Sequence, residues 1–469
     1  MIEKNEVLNI SRNLGLRPDT IEKDYILGWM LDGINQNSTT TNWAFKGGTS
    51  LKKCFFDTFR FSEDLDFTLT DNTHLDENFL LDLFKDICAN LSDKTGIIFY
   101  PERFKFKIIE KNNGLLSAQG KIHFNGPLSR TQGVATIKLD LTTDEVLVMG
   151  LDRRRVQHPY TDEPEEFIHI NCYSFEEVVA EKIRALAQRI RPRDLYDVVH
   201  FFRNREMITN PMGVVDVLRK KCEYKEMGVP TFADIETHEK LNELEPQWEN
   251  MLAHQLPSLP PMDTFWDDLC PFFDWLNGIL DVEELPQSPM LSGDVFNVGR
   301  NDLYQSDLVG LNKVQFAAAN RLCILMIYSN KQRTIEPISF RTANNGNRLF
   351  YGYEREAGHV KVFSIDKIQS IELTDMPYVE KYPVEISATG SISMPPIRRT
   401  LQHPRTGVVP RLKTSRLANR QASIYPKYRI QCPVCQKTFT RSKLGDTKLN
   451  RHKNNFGSIC SGRSGNRIN

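Results

Sequence analysis

Apolar residues follow two periods along the first half of the chain, and the change of period marks its elements. Leu65, Phe67 and Leu69 alternate with polar neighbours, as do Ile137, Leu139 and Leu141, which predicts two strands with one buried face each. Trp43-Ala44-Phe45 predicts a short strand, Gly47-Gly48 a turn, and Thr49 to Phe56 a helix. Pro18 suits the first turn of a helix that runs through Tyr25 and Trp29, with Asp19 and Glu22 complementing its positive end. Ser174 followed by Glu177 has the spacing of a capping box and opens a helix through Leu186. Strands and helices mixed in this way predict an α+β domain over residues 1–205.

From residue 206 to 281 the period is helical, with the aromatic stretches Phe265-Trp266 and Phe272-Phe273, and Pro257, Pro260 and Pro261 interrupt it. Residues 282–312, with Pro286, Pro289 and several Gly and Ser, predict a linker. A helix from Lys313 to Cys323 then leads into alternating segments at Leu325–Tyr328, Thr334–Phe340, Leu349–Tyr353, Val360–Ile365 and Ile368–Leu373, so residues 313–384 form a small β-rich domain. Residues 385–427 are rich in Pro and Arg and predict a tether, and residues 428–469 form a last module. No internal repeat breaks this order.

At 469 residues the chain exceeds what one core organises, in keeping with several domains. Lys+Arg and Asp+Glu both total 60, so overall charge favours no partner, but the stretch from Arg398 to Arg463 is strongly basic and suits phosphate backbones. The absence of a run of about 18 apolar residues, and of a signal-peptide layout after Met1, predicts a cytoplasmic protein without a membrane partner. Of the nine cysteines, Cys54, Cys88, Cys172, Cys222, Cys270 and Cys323 stand singly among apolar neighbours and read as free thiols. Only Cys432, Cys435 and Cys460 cluster.

The chemistry concentrates in Phe45-Lys46-Gly47-Gly48-Thr49-Ser50-Leu51 and Arg60-Phe61-Ser62-Glu63-Asp64-Leu65-Asp66-Phe67. Two glycines between a strand and a helix let backbone N–H groups approach a phosphate. Asp64 and Asp66, two apart on a strand, leave the same face, and paired carboxylates call for a hard cation, Mg²⁺ or Mn²⁺. Such a pair can hold two metal ions, one on a triphosphate and one activating a hydroxyl. Asp140 is the first candidate for a third carboxylate and Asp144 the second. In Glu181-Lys182-Ile183-Arg184 the lysine lies near the apolar stripe of Val179, Ile183 and Leu186 and is drawn inward. Lys182 and Arg184 can neutralise a triphosphate while Asp194, on one helix face with Asp197, orients the lysine or the attacking group. The other reading is a charged helix surface.

Gly-Gly-Thr-Ser-Leu, Ser-Glu-Asp-Leu-Asp-Phe, Glu-Lys-x-Arg and Arg-Asp-Leu-Tyr-Asp, in this order, resemble the AbiEii/AbiGii nucleotidyltransferase toxins, which are DNA polymerase beta-like. Glu22-Lys23-Asp24-Tyr25 and the aromatic Asp263–Leu269 stretch extend the likeness over roughly residues 10–280. The resemblance implies a polymerase-beta-like core with a helical extension, Asp64 and Asp66 as metal ligands, Gly47, Gly48, Thr49 and Ser50 around the phosphates, Lys182 on the nucleotide and Asp194 as a second essential acid. It further implies transfer of NMP from a nucleoside triphosphate to an RNA, tRNA foremost, by a type IV toxin or anti-phage effector with a cognate antitoxin. A non-catalytic nucleic-acid-sensing regulator and a protein-modifying nucleotidyltransferase stay open beside it.

Residues 317–375 resemble a WYL domain through Arg333–Pro337, Leu349–Tyr353 and Val362–Ile368, with Arg348-Leu349-Phe350 where the naming Trp-Tyr-Leu would fall. The resemblance implies a sensor of nucleic acid or nucleotides; a structural β-domain is the alternative. Cys432-x2-Cys435-x16-His452-x7-Cys460 has the thiolate and imidazole spacing of a structural zinc site and resembles a ββα zinc finger, with Ile430, Phe439 and Leu449 as its core. Lys437, Arg441, Lys443, Lys448, Arg451 and Lys453 make it basic enough to touch nucleic acid; a purely structural or protein-binding finger is the alternative.

Overall fold

The structure is a computed structural model that describes residues 1–56, 59–110, 114–129, 133–279, 286, 288–296, 310–386, 428–441, 448–449, 460–461, 464 and 466–468. The chain divides into two compact units, Met1–Arg398 and Arg399–Asn469.

The first unit opens with helices α1 (Lys4–Leu14) and α2 (Pro18–Gln36) and continues through strand β1 (Ala44–Lys46), the single turn α3 (Gly47–Ser50), strand β2 (Asp64–Thr68) and helix α4 (Glu77–Thr95). Six strands follow: β3 (Ile98–Phe99), β4 (Lys105–Glu110), β5 (Leu116–Asn125), β6 (Ala135–Thr142), β7 (Asp152–Arg155) and β8 (His169–Cys172). All eight strands join one sheet in the order β3-β5-β6-β2-β1-β8-β7, with β4 added on β5. Most pairs are antiparallel, but β2 runs parallel to β6 and β1 to β8, so the two strands at the centre are held from both sides in fixed register.

Alternation decides which face of the sheet is covered. Leu65 and Phe67 of β2, Ile137, Leu139 and Leu141 of β6, and Ile122 and Phe124 of β5 are buried on one side, where α4 packs Phe84 against Phe106 at 5.3 Å between ring centroids. Gly120 of β5 belongs there because a Cβ would sit 2.5 Å from the Phe106 ring. The opposite face carries the acids.

Two local expectations change. The helix expected from Thr49 to Phe56 is only α3 followed by a wide π-type turn over Leu51–Phe55, and Phe56 is already extended. That turn carries Lys53 inward, where its ammonium meets Asp24 at 2.6 Å. The Ser174–Glu177 capping box forms by half. Ser174 accepts from the Glu177 N–H and opens helix α5 (Phe175–Arg189), but the Glu177 carboxylate is drawn away to the N–H groups of Val148 and Met149 and to Lys221, each at 2.9 Å.

Helix α6 (Pro192–Arg203) follows α5, and α7 (Pro211–Tyr224), α8 (Phe232–Glu236), α9 (Leu244–Leu252) and α10 (Met262–Leu276) form the helical part. Inside the segment expected as linker, strand β9 (Asp294–Val295) adds an edge to the next sheet. Helix α11 (Leu311–Asn320) stops before Cys323 because Arg321 turns left-handed, with φ 55°. The module is completed by β10 (Leu322–Tyr328), β11 (Lys331–Thr342), β12 (Arg348–Glu354), β13 (His359–Ser364) and β14 (Ile368–Pro377), ordered β13-β12-β11-β10-β14. Its apolar face is continuous with the core of the sheet and helices. Tyr196 of α6 donates to the Asn320 side chain at 2.8 Å, and the buried Arg203 bonds both the Asn320 carbonyl and Asp268. Residues 387–427 of the expected tether lie outside the described residues.

The second unit holds a sheet of β15 (Tyr428–Gln431), β16 (Thr438–Arg441) and β17 (Asn466–Ile468), ordered β16-β15-β17. No helix among the described residues is long and apolar enough to cross a membrane.

Candidate functional site

Register brings the acids together. Asp66 lies directly opposite Asp140 of β6 on one side and Lys46 of β1 on the other, and Asp64 lies opposite Lys138. Opposed residues share a face, so the three carboxylates form one group at the centre of the sheet. The turn after β1 closes over it. Gly47 has φ 78°, and a Cβ there would lie 2.1 Å from an Asp66 carboxylate oxygen, so only glycine lets the backbone pass. A Cβ at Gly48 would meet the Arg60 guanidinium at 2.8 Å. Thr49 donates to the Asp64 carbonyl, and Ser50 donates to the Gly47 carbonyl at 2.9 Å. Thr49 therefore ties the turn to β2, and Ser50 closes the turn on itself.

The electrostatics ask for a cation. Burial pushes the Asp66 carboxyl up to about 6, with Asp140 and Asp64 adding to the rise and Lys46 opposing it. Burial and Asp64 also raise Asp140. Carboxylates whose charge is disfavoured first by burial and then by one another fit a hard divalent ion, which competes with protons for them. We predict that Mn²⁺ affinity, titrated calorimetrically, is constant above about pH 7 and falls roughly tenfold per pH unit below about 6. An affinity flat down to pH 4.5 would remove Asp66 from the metal site.

Helices α5 and α6 build the other wall. Lys182 extends from α5 between Asp194 at 3.3 Å and Asp197 at 2.7 Å, both fully buried. Asp197 also takes two bonds of 2.8 Å from Arg60, and Asp194 takes two from Arg189. Burial opposes the charge on Asp194, but Lys182 and Arg189 outweigh it and bring its carboxyl down to about 2. Lys46 meets Glu181 at 3.4 Å, and burial of Glu181 is likewise outweighed by Lys46, Lys221 and Arg184, leaving its carboxyl at about 2. Each buried charge of this wall is thus matched, as isolated buried charges must be.

Of the residues expected from the sequence, the sheet and the turn gather Asp64, Asp66, Asp140, Gly47, Gly48, Thr49 and Ser50, and Lys182 and Asp194 stand together beside them. Asp144 lies past the end of β6 and pairs with Lys225 at 2.9 Å. Arg184 is engaged by Glu145 at 2.8 Å and Gln188 at 2.7 Å. Lys46, Glu181, Arg60 and Arg189 also belong to this arrangement and were not singled out above, as does Asp197, noted only for sharing a helix face with Asp194. For Lys46, Glu181 and Arg60 the only signal was their place inside the same motif blocks. Glu22 accepts from the Leu128 N–H, Asp24 pairs with Lys53 and Tyr25 donates to Asp162, so that early motif anchors α2.

A second candidate centre lies in the C-terminal unit. One metal-binding atom from each of Cys432, Cys435 and Cys460 lies within 4.8 Å of the others, and the Sγ atoms of Cys432 and Cys460 are 3.7 Å apart. A disulfide needs about 2.05 Å, whereas sulfurs about 2.3 Å from a tetrahedral zinc stand about 3.8 Å apart. The Cys432 N–H donates to the Lys437 carbonyl and the Gln436 N–H to the Cys432 carbonyl, both at 2.9 Å, so the chain folds back around the first two thiols. Leu449 and Phe439 pack beside them. His452 and the Ile430 side chain lie outside the described residues.

The family model of the nucleotidyl transferase AbiEii toxin, type IV toxin–antitoxin system, matches residues 29–276. Among solved structures, MenT4, a nucleotidyltransferase toxin from Mycobacterium tuberculosis H37Rv, is similar at 18% identity over 60% of this chain and 92% of its own, with a TM-score of 0.41. JHP933 from Helicobacter pylori is similar at 14% identity over 56% of this chain and 94% of its own, with a TM-score of 0.38. No curated protein matches the chain.

Proposed function

The chain belongs to the AbiEii nucleotidyltransferase toxin family, and from that premise we propose that it transfers NMP from a nucleoside triphosphate to the terminal hydroxyl of an RNA, tRNA foremost. In this reading it arrests growth in the cytoplasm as a type IV toxin restrained by its antitoxin, or as an anti-phage effector. The observation that carries the catalytic reading is the alignment of Asp64, Asp66 and Asp140 across β2 and β6 beneath the Gly47 turn.

Asp64, Asp66 and Asp140 would hold Mg²⁺ or Mn²⁺, which when bound supplies charge neutralisation on the phosphates and acidifies the attacking hydroxyl. The chain's own groups do the rest. The Gly47-Gly48 backbone receives the phosphates, and Lys182, oriented by Asp194 and Asp197, faces the negative charge that grows on them. The acceptor oxygen forms a bond to the α-phosphorus while the bond to the bridging oxygen breaks, its proton passes to solvent, and pyrophosphate leaves in line. Zinc on Cys432, Cys435, Cys460 and His452 and a sensing role for the WYL-like module complete the proposal.

The test is incubation of the purified chain with each α-labelled triphosphate, total RNA and host protein. Label on RNA supports the reading. Label on protein alone replaces the acceptor, and label on neither turns the reading toward a non-catalytic regulator.

A further inference from the structure

The sheet face that carries the acids continues beyond them across β6, β5 and β4, and the register states what stands there. Lys138 is opposite Asp64, Lys121 is opposite Lys138, and Lys105 is opposite Lys121. In the next row Asp66, Asp140, Gln119 and Lys107 follow one another in the same way. Lys105, Lys107, Gln119, Lys121 and Lys138 are all exposed, while Phe106, Ala118, Ile122, Ile137 and Leu139, which alternate with them, are buried on the other side. This part of the face is therefore open to solvent, and its exit from the acids is lined with lysine.

Charge matching separates the two sides of the acids. Lys46, Lys182 and Arg189 are matched by buried carboxylates. Among the described residues, none of Lys105, Lys107, Lys121 and Lys138 forms an ion pair, and the only carboxylates on their rows are the metal-site acids themselves. An open row of unmatched cations, one per strand step, suits a partner with regularly spaced negative charge. The row from Asp64 to Lys105 spans three strand spacings, about 14 Å, enough for the last nucleotides of a strand. At its far edge the Arg103 guanidinium lies 5.4 Å from the Tyr100 ring centroid, an aromatic and cationic pair of the kind on which bases stack.

We propose that this lysine-lined face is the acceptor track, which takes the phosphodiester backbone of a single-stranded RNA end and delivers its terminal hydroxyl to Asp140 and Asp66. The proposal rests on the RNA-acceptor reading and adds where the acceptor enters. Triphosphate charge meets the matched cations behind the Gly47 turn, and acceptor charge meets the open lysines in front, so the two substrates approach the acids from different sides.

The test combines Lys105→Ala, Lys107→Ala and Lys121→Ala in the full-length, Mg²⁺-loaded chain; exposed positions of this kind change stability by about 0.5 kcal/mol or less. With a short single-stranded RNA as acceptor, KM for the RNA should rise at least about tenfold, and the slope of log affinity against log salt should flatten by about two, near 0.7 per lost phosphate contact. A triple Lys→Arg variant should keep both. The dissociation constant for the triphosphate reports separately on the acids and the turn. If wild-type protein labels RNA and the Ala variant keeps its KM and salt slope, the track is wrong and the RNA reading stands. If wild-type protein labels only protein, both fall.

Discussion

Asp66→Asn is expected to abolish nucleotide transfer and, in the metal-free protein, to raise the melting temperature. The two effects have one cause. Asp66 sits between Asp140 and Lys46 with burial against its charge, so its carboxyl is pushed up to about 6 and at pH 7.5 the folded state carries an ionised group at a cost. Removing that charge relieves on the order of 1–3 kcal/mol of repulsion and desolvation in the absence of metal. Transfer should fall at least about a thousandfold, the scale on which a single well-placed electrostatic group acts on a phosphoryl or acyl transition state. Asp140→Asn should follow the same pattern. Asp144→Asn should do the opposite, because it strips Lys225 of a partner at 2.9 Å while leaving the acids intact. Melting curves with and without Mn²⁺, beside a labelled-nucleotide assay, check all three. Transfer by the Asp66 variant within tenfold of wild type would remove the two-metal site, and a lowered melting temperature would make Asp66 a structural residue.

What the chain discloses of this site depends on the range over which each residue acts. Asp64 and Asp66 are legible because a strand fixes the face of residues two apart, and Gly47-Gly48 because a left-handed φ at the first and the close Arg60 guanidinium at the second exclude side chains. Asp140 follows from the alternation of Ile137, Leu139 and Leu141, but its position opposite Asp66 is a property of parallel pairing between strands far apart in sequence. Arg60 and Asp197, 137 residues apart, form a buried pair that no local pattern announces. The capping box fails by half for a similar reason, since the Glu177 carboxylate finds three nitrogens elsewhere that outbid its own helix. Strands β4 and β5 blunt the alternation argument because the buried face of β5 holds the small Ala118 and Gly120 and the outward face of β4 holds Ile109 beside Lys105 and Lys107, and their pairing register, which gives the open row its meaning, exists only in the folded sheet.

Removal of zinc is expected to unfold the C-terminal unit and nothing else. Its described core is small, Leu449 and Phe439 beside the three cysteines, too little to hold a module of this size by burial alone. Metal binding would then be folding energy, on the order of 10 kcal/mol for a structural thiolate site. The 3.7 Å separation of the Cys432 and Cys460 sulfurs matches the tetrahedral edge such an ion would impose. Cys435→Ser, or a strong chelator, should release one zinc per chain and make residues 428–468 exchange and cleave readily. The sheet that carries Asp64 and Asp66 should keep its protection, because its core is built entirely from the first unit. Transfer to a generic RNA at high concentration should persist, whereas affinity for a natural target should fall and depend less steeply on salt as basic contacts are lost. Hydrogen exchange and metal analysis on the full-length protein decide it. Intact protein without zinc would reject the site, and a Cys435→Ser variant that keeps its protection would show that the three thiols pack without holding the fold.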